Sequence, residues 1–380
     1  MDNQRLVQTA QALVAKGKGI LAADESSGTI KRRFDTINVE STEENRRNYR
    51  EMLFRTAGVD EFLSGVILFD ETIRQDAADG TPMVKVLGDQ GIIPGIKVDK
   101  GTIPLPEAPD ELVTEGLDGL RDRLKEYNEL GAGFTKWRAV ISISPDSPTP
   151  YCLATNAHSL ARFAALSQEA GLVPIVEPEV LRDGDHDIDK CFEVTEETLR
   201  EVFDQLAQQK VLLEGMLLKP SMVISGGSAI KRAAPEEVAE RTIECFKRAL
   251  PASVPGVVFL SGGEPDDSVT ANLNALNKQA DDAKAPWELS FSFGRSLQGA
   301  PLSAFGGVVA TNHPVSASIA NAMAKIFYEI IIAPEFTPEA LDILTQKKNL
   351  RILVRSLEKF RSGHRELRQI SSGALLQTAD

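Results

Sequence analysis

Eight short apolar runs, each separated from the next by a stretch long enough for a helix, set the strongest limit on how this 380-residue chain can fold. They are Gly19–Ser26, Gly65–Thr72, Ile93–Asp99, Phe134–Ile143, Val173–Val180, Leu213–Met222, Gly256–Gly263 and Leu289–Arg295. Most open on apolar, often β-branched residues and close on charged or small ones. Such runs suit strands covered on both faces of a parallel sheet. Repeated strand–helix units with right-handed crossovers give either an open doubly wound sheet or a closed (β/α)8 barrel. Eight units favour the closed barrel. So does the lack of GxGxxG after the first run, where an open dinucleotide-binding sheet would carry it.

The intervening stretches carry helix signals. Thr42–Arg55 should start with Thr42 as N-cap, and Asn156–Ala170 is amphipathic. Thr195–Gln208 should open at Thr195, and Pro235–Leu250 has proline in its first turn. A closed barrel needs one more helix after its eighth strand, yet about 85 residues follow Arg295. They read as strands at Gly307–Ala310, Tyr328–Ala333 and Leu350–Val354, with helices at Val315–Ile326 and Thr337–Lys347. This extra βαβ pattern has no place in a closed barrel. The stripe Ile319, Met323 and Ile326 (i, i+4, i+7) would let the first of these helices cover the barrel in place of an eighth one. The expected fold is therefore α/β: a (β/α)8 TIM barrel through Arg295, followed by an extra α/β pattern.

Charge and cysteine content exclude several functions. The chain has 42 Lys or Arg against 55 Asp or Glu, a net charge of −13. Binding to nucleic acid or an anionic membrane surface is not expected, and any phosphate must meet a local cluster of cations. Three separated cysteines with no CxxC pair argue against a disulfide framework or zinc site. Met1–Lys18 lacks the apolar core of a secretory signal, and no apolar run is long enough to span a bilayer. The expected compartment is the cytoplasm.

Barrel active sites lie at the C-terminal ends of the strands. There this sequence places Asp24, Lys97 with Asp99, Lys136 with Arg138, Glu177 with Glu179, Lys219, Ser261 and Arg295. Residues two apart on a strand share a face, and inward charges are costly unless paired. So many charged strand ends point to a site more than to a structural ion network. Lys219 follows the apolar Met216–Leu218, and a buried amine there could attack a ketone to form a Schiff base. The alternative, a salt-bridged lysine at a strand end, stays open on this run alone. Glu177 and Glu179 can shuttle protons, Asp24 can act as a base, and Lys97, Arg138 and Arg295 supply charge for phosphate. Ser261, Gly262 and Gly263 could cradle a phosphate with backbone N–H groups or form an ordinary turn. Asp183–Asp187, with one His, reads as a solvated acidic loop rather than a metal site.

The motifs GKGILAADES (17–26), TEENRR (42–47), GIKVDKG (95–101), FTKWR (134–138), VPIVEPE (173–179), LEGMLLKP (213–220), FLSGG (259–263) and FSFGR (291–295) resemble class I fructose-bisphosphate aldolase. The resemblance runs in unbroken order over about residues 1–299. It implies reversible cleavage of fructose 1,6-bisphosphate to dihydroxyacetone phosphate and glyceraldehyde 3-phosphate, with no metal or cofactor, by a homo-oligomer that is usually a tetramer. By position it implies Lys219 as the Schiff-base lysine, Glu177 as acid/base with Glu179 as partner, and Asp24 as the base for C–C cleavage beside Lys136. Ser261, Gly262, Gly263, Gly294 and Arg295 match the 1-phosphate side, and Ser26, Thr29, Lys97 and Arg138 the 6-phosphate side. Thr29 and Phe293 stand where the family usually has Ser and Tyr. The family also continues into a final helix and a tail ending in tyrosine, whereas no tyrosine follows Tyr328 here. Instead Pro301–Val315, Glu329–Leu353 and Glu366–Asp380 resemble an internal stretch of the formyltransferase part of the purine-biosynthesis transformylase/cyclohydrolase, without its adjacent Lys-His pair. A catalytically impaired barrel is the alternative that this replacement raises.

Overall fold

All eight runs form strands, and these close into one parallel barrel. The computed structural model describes residues 2–56, 58–298, 307–310, 314–323, 328–346, 350–354, 365–370 and 373–378. The strands of the first part are β1 (Gly19–Ala23), β2 (Leu63–Leu68), β3 (Ile93–Lys97), β4 (Thr102–Leu105), β5 (Ala108–Thr114), β6 (Phe134–Ile141), β7 (Val173–Val180), β8 (Leu217–Leu218), β9 (Gly256–Phe259) and β10 (Glu288–Phe293). The barrel follows the order β1-β2-β3-β6-β7-β8-β9-β10 and returns to β1. Most strands stop two to four residues before the apolar run ends, because the charged and small residues that close each run have left the ladder. The antiparallel hairpin β4–β5 is an excursion between β3 and β6 that the sequence reading did not anticipate.

Alternation along each strand divides the core in two. Trp137, Ala139, Val176, Leu218, Val257 and Phe259 point outward into the layer between barrel and helices. Trp137 there stacks on Phe163 of the helix Pro150–Glu169, with ring centroids 5.6 Å apart. Ile20, Ala22, Ile67, Phe134, Val173, Ile175, Leu217 and Val258 point inward. One end of that inner core is closed by helix α1 (Asn3–Leu13), whose Leu6, Ala10 and Leu13 join it together with Val14. These residues meet the N-terminal ends of the strands. A Cβ added at Gly65, near the start of β2, would come 2.8 Å from Leu13, and one at Gly256, the first residue of β9, would come 2.7 Å from Val14. The opposite, C-terminal end is left for a site.

The helix starts at Thr42 and Pro235 hold, and two others are corrected. The helix expected over Asn156–Ala170 opens earlier, at Pro150, because Thr149 caps it by accepting from the Cys152 N–H. Thr42 caps Glu43–Phe54, its hydroxyl accepting from the Asn45 N–H at 3.1 Å, and Pro235 opens Pro235–Ala249. The helix expected to start at Thr195 instead runs Ile188–Gln208, because Asp187 accepts from the Lys190 N–H at 2.8 Å and so caps it earlier. Thr195 and Thr198 are buried inside it, and the Thr198 hydroxyl donates back to the Val194 carbonyl.

The chain divides into two compact units, Met1–Leu297 and Gln298–Asp380. In the second, β11 (Gly307–Ala310), β12 (Tyr328–Ala333) and β13 (Arg351–Val354) form a parallel sheet in that order, and β14 (Arg365–Ile370) pairs antiparallel with β15 (Gly373–Thr378). Helices Ala317–Met323 and Pro338–Leu344 contribute Ala320, Ala340 and Leu344 to a core with Val315, Ile331, Ala333 and Phe336. The expected stripe is therefore corrected. Ala320 is fully buried, Ile319 is 40% exposed, and Met323 packs on the second unit's own core. Ile326 lies outside the described residues.

Gly95 tests how closely the inner layer is filled. A Cβ there would lie 2.3 Å from the Phe134 ring, and one at Gly65 would lie 3.0 Å from it. Gly95→Ala is expected to destabilise the barrel by about 1–3 kcal/mol through overpacking, with part of the loss recovered by adding Phe134→Leu. Urea denaturation of the single and double variants checks this; additive losses would rule out the contact as the cause.

Candidate active site

Five inner columns of the barrel change character along their length. Ile20 and Ala22 lead to Asp24, Ile93 to Lys97 and Asp99, and Phe134 to Lys136 and Arg138. Ile175 leads to Glu177 and Glu179, and Leu217 to Lys219. A period of two keeps each column on one face. The same alternation that packs the closed end therefore delivers charges to the open end.

Lys136 is the hub of those charges. Its Nζ lies 2.7 Å from Asp24 Oδ2, 3.3 Å from Glu177 Oε2 and 4.0 Å from Asp99 Oδ2. The contact with Glu177 Oε2 is Coulombic, since it lacks hydrogen-bond geometry. Glu177 Oε1 holds Lys219 Nζ at 3.0 Å, and Asp99 Oδ1 holds Lys97 Nζ at 2.7 Å. Lys136 and Lys219 are each 4% exposed and Glu177 3%. Beside this chain, Arg138 donates from Nε to Glu179 and from its backbone N–H to Asp99 at 3.4 Å. The fully buried Arg50 donates to the Glu25 carbonyl at 2.8 Å and steadies the turn after β1.

The electrostatics follow from burial set against pairing. Burial pushes the Asp24 carboxyl up, but Lys136, Lys219 and Lys97 together outweigh it and bring it down to about 2. Burial likewise favours neutral Glu177, and Lys219, Lys136 and Arg138 overcome it, so the group stays below the usual glutamate range. Burial opposes the Lys136 charge, yet Asp24, Glu177 and Asp99 raise it above an ordinary lysine. Arg138 is raised in the same way, against burial, chiefly by Glu179.

Over the network opens a cleft of about 500 Å³. Five cationic side chains line it (Arg33, Arg138, Arg182, Lys219 and Arg295), with Glu177, Glu179 and Asp183 as the acidic ones. This cation excess stands out in a chain of net charge −13. Ser261, Gly262, Gly263 and Gly294 complete much of the wall. Gly262 and Gly263 take φ of 55° and 78°, a pair of left-handed residues that only glycine adopts readily.

The expected residues are therefore brought together in two groups. Asp24, Lys97, Lys136, Glu177 and Lys219 are linked by ion pairs, and Arg138, Glu179, Ser261, Gly262, Gly263, Gly294 and Arg295 line the cleft or its network. Ser26 and Thr29 sit apart, at the start of helix α2 (Ser27–Asp35), with their hydroxyls 3.1 Å from each other and outside the cleft lining. Asp99, whose spacing marks it as sharing a face with Lys97, joins the first group as a partner of Lys97 and Lys136. Arg33 and Arg182 left no such signal, because both lie beyond strand ends. Among the described residues, no group of three His, Cys, Asp or Glu side chains is gathered to hold a metal ion.

Comparison with known proteins adds an independent line. The family model "Fructose-bisphosphate aldolase class-I" matches residues 5–327, and the model "AICARFT/IMPCHase bienzyme" matches 275–380. The two matches overlap over 275–327. A probable fructose-bisphosphate aldolase class 1 of Xanthomonas campestris pv. campestris is 55% identical over 325 residues, covering 86% of this chain and 96% of that protein. The cytosolic fructose-bisphosphate aldolase 6 of Arabidopsis thaliana is 53% identical over 302 residues, covering 80% and 84%. A solved structure of fructose-bisphosphate aldolase from Plasmodium falciparum superposes with a TM-score of 0.77 at 48% identity, covering 79% of this chain and 86% of that one.

The depressed Asp24 carboxyl makes a prediction about acid stability. Its folded-state value of about 2 lies below the ordinary 3.8. Its contribution is thus present above about pH 4 and is lost as pH falls through about 2. The stability gap between the unsubstituted protein and Asp24→Asn should narrow by about 2 kcal/mol between about pH 5 and about pH 2. Chemical denaturation at both pH values measures it; a constant gap would contradict the pairing.

Proposed function

The chain belongs to the class I fructose-bisphosphate aldolase family, and on that premise we propose that Lys219 is its Schiff-base nucleophile for the reversible cleavage of fructose 1,6-bisphosphate. The observation that carries this reading is the buried Lys219, 4% exposed, with its Nζ 3.0 Å from Glu177 Oε1 and linked through Glu177 and Lys136 to Asp24. Lys219 passes a proton to Glu177 and attacks the ketone of the open-chain sugar. Glu177, with Glu179 beside it, returns the proton to the carbinolamine oxygen, which leaves as water. Asp24 then takes the proton of the C4 hydroxyl while Lys136 holds its carboxylate in place. The C3–C4 bond breaks, its electron pair moves into the enamine, and glyceraldehyde 3-phosphate leaves. Protonation of the enamine carbon and hydrolysis of the imine release dihydroxyacetone phosphate and restore Lys219.

The cation excess of the cleft supports a doubly phosphorylated substrate. The 1-phosphate is assigned to Ser261, Gly262, Gly263, Gly294 and Arg295. The 6-phosphate is assigned to Arg138 and Lys97, with Ser26 and Thr29 reached across the rim. Residues 300–380 are assigned as a formyltransferase-like fragment that takes the place of the family's last barrel helix and tail. No helix among the described residues is long and apolar enough to cross a membrane. We assign the protein to the cytoplasm, as a homo-oligomer on the family's tetrameric pattern. Sedimentation at working concentration tests the assembly, and a monomer would contradict it.

Lys219→Met keeps the length and apolar character of the stem and removes the nucleophile. Its cleavage rate should fall at least about a thousandfold, with the far-ultraviolet spectrum unchanged. A variant that folds and still cleaves at a rate near the original would remove Lys219 from the role.

A further inference from the structure

Three loops that follow three neighbouring strands meet at one buried carboxylate. Glu264, with its side chain 4% exposed, stands immediately after Ser261–Gly263. Its Oε1 accepts from Arg182 Nη1 at 2.7 Å and from Arg232 Nη2 at 2.5 Å. Arg182 belongs to the loop after β7 and Arg232 to the loop after β8, while Glu264 itself follows β9. The same Arg182 Nη1 donates to the Gly263 carbonyl at 3.0 Å. The Gly227 N–H, from the loop after β8, donates to the Arg182 carbonyl at 2.7 Å, and a Cβ at Gly227 would come 2.8 Å from Arg182 Nη2. Gly263 is covered from another side by Arg295, whose Nη2 would lie 3.1 Å from an added Cβ.

This arrangement does more than satisfy a buried acid. One carboxylate faces two guanidinium groups, so the cluster keeps one positive charge. Arg182 lines the cleft together with Ser261, Gly262, Gly263 and Arg295. Its side chain is 22% exposed, with Nη1 tied to fixed partners and part of the group left open to the cleft. A guanidinium offers five donors in a rigid fork suited to phosphate, and one already oriented loses little freedom on binding. We propose that Arg182 is a further phosphate-binding residue of this cleft, serving the phosphate beside Ser261–Gly263, and that Glu264 is the positioning residue that holds it there. The inference rests on the assignment of that loop to the 1-phosphate of a ketone bound at Lys219.

Borohydride trapping of two ketones separates the inference from the reading beneath it. Dihydroxyacetone phosphate carries the phosphate and dihydroxyacetone does not, while both present the same carbonyl. The readout is the ratio of their half-saturating concentrations. In Arg182→Ala the preference for the phosphorylated ketone should fall about tenfold, the scale of one charge-assisted hydrogen bond. In Arg182→Lys, which keeps the charge and loses the fork, it should fall about threefold. Glu264→Gln discriminates the second claim. If Glu264 only neutralised charge, its loss would strengthen the preference; a positioning role weakens it. An unaltered ratio in Arg182→Ala would overturn the phosphate role, and a strengthened ratio in Glu264→Gln would overturn the positioning role. If the unsubstituted protein is trapped by neither ketone, the Lys219 reading falls and this inference falls with it.

Discussion

A charged lysine, Lys136, held 4% exposed inside a barrel is the constraint on which the working end of this molecule depends. Removing such a charge from water costs several kcal/mol unless paired charges and hydrogen bonds offset it. Lys136 is offset by Glu177 from within β7 and by Asp24 and Asp99 from just beyond β1 and β3. Those carboxylates then need cations of their own, supplied by Lys97 and Lys219. The strand register that makes this possible is strict. Lys97 pairs with Lys136, and Arg138 with Glu177. A slip of one residue would send every one of these charges into the apolar layer beneath the helices.

That strictness needs a firm base, which the opposite end of the barrel provides. Phe134 lies two residues before Lys136 on β6 and fills the space above Gly65 and Gly95. Helix α1 seals the layer below with Leu6, Ala10 and Leu13. Rigid apolar packing at one end thus fixes the positions of ionised groups at the other. A site built this way keeps Lys219 close to a proton acceptor without waiting for side chains to rearrange.

Much of this was legible in the sequence, for physical reasons. Strands buried on both faces leave unbroken apolar runs, and the charges that end them cannot be hidden. The N-cap of Thr42 was readable because its partner is three residues away. What was missed depends on contacts distant in sequence or on ambiguous local signals. Helix α1 has only three buried positions in a polar stretch, and its reason for folding is the barrel mouth. Thr195 imitated a helix start, whereas Asp187 took that role and left Thr195 in the interior. The Ile319 stripe was well spaced, but the small Ala320 is what a close helix-to-sheet approach accepts. Asp99 could be read from its spacing to Lys97. Arg182 could not, because its meaning comes from Gly263 and Glu264, about eighty residues away.

The central claim is that one particular amine of this network forms a covalent bond with the ketone. The direct measurement is to reduce the protein with borohydride in the presence of dihydroxyacetone phosphate, digest it, and locate the added mass by tandem mass spectrometry. The account predicts a single modified residue, Lys219, within the peptide that carries Leu217 and Leu218. Modification of Lys97 or Lys136 instead, or no adduct on a protein that cleaves fructose 1,6-bisphosphate, would contradict it.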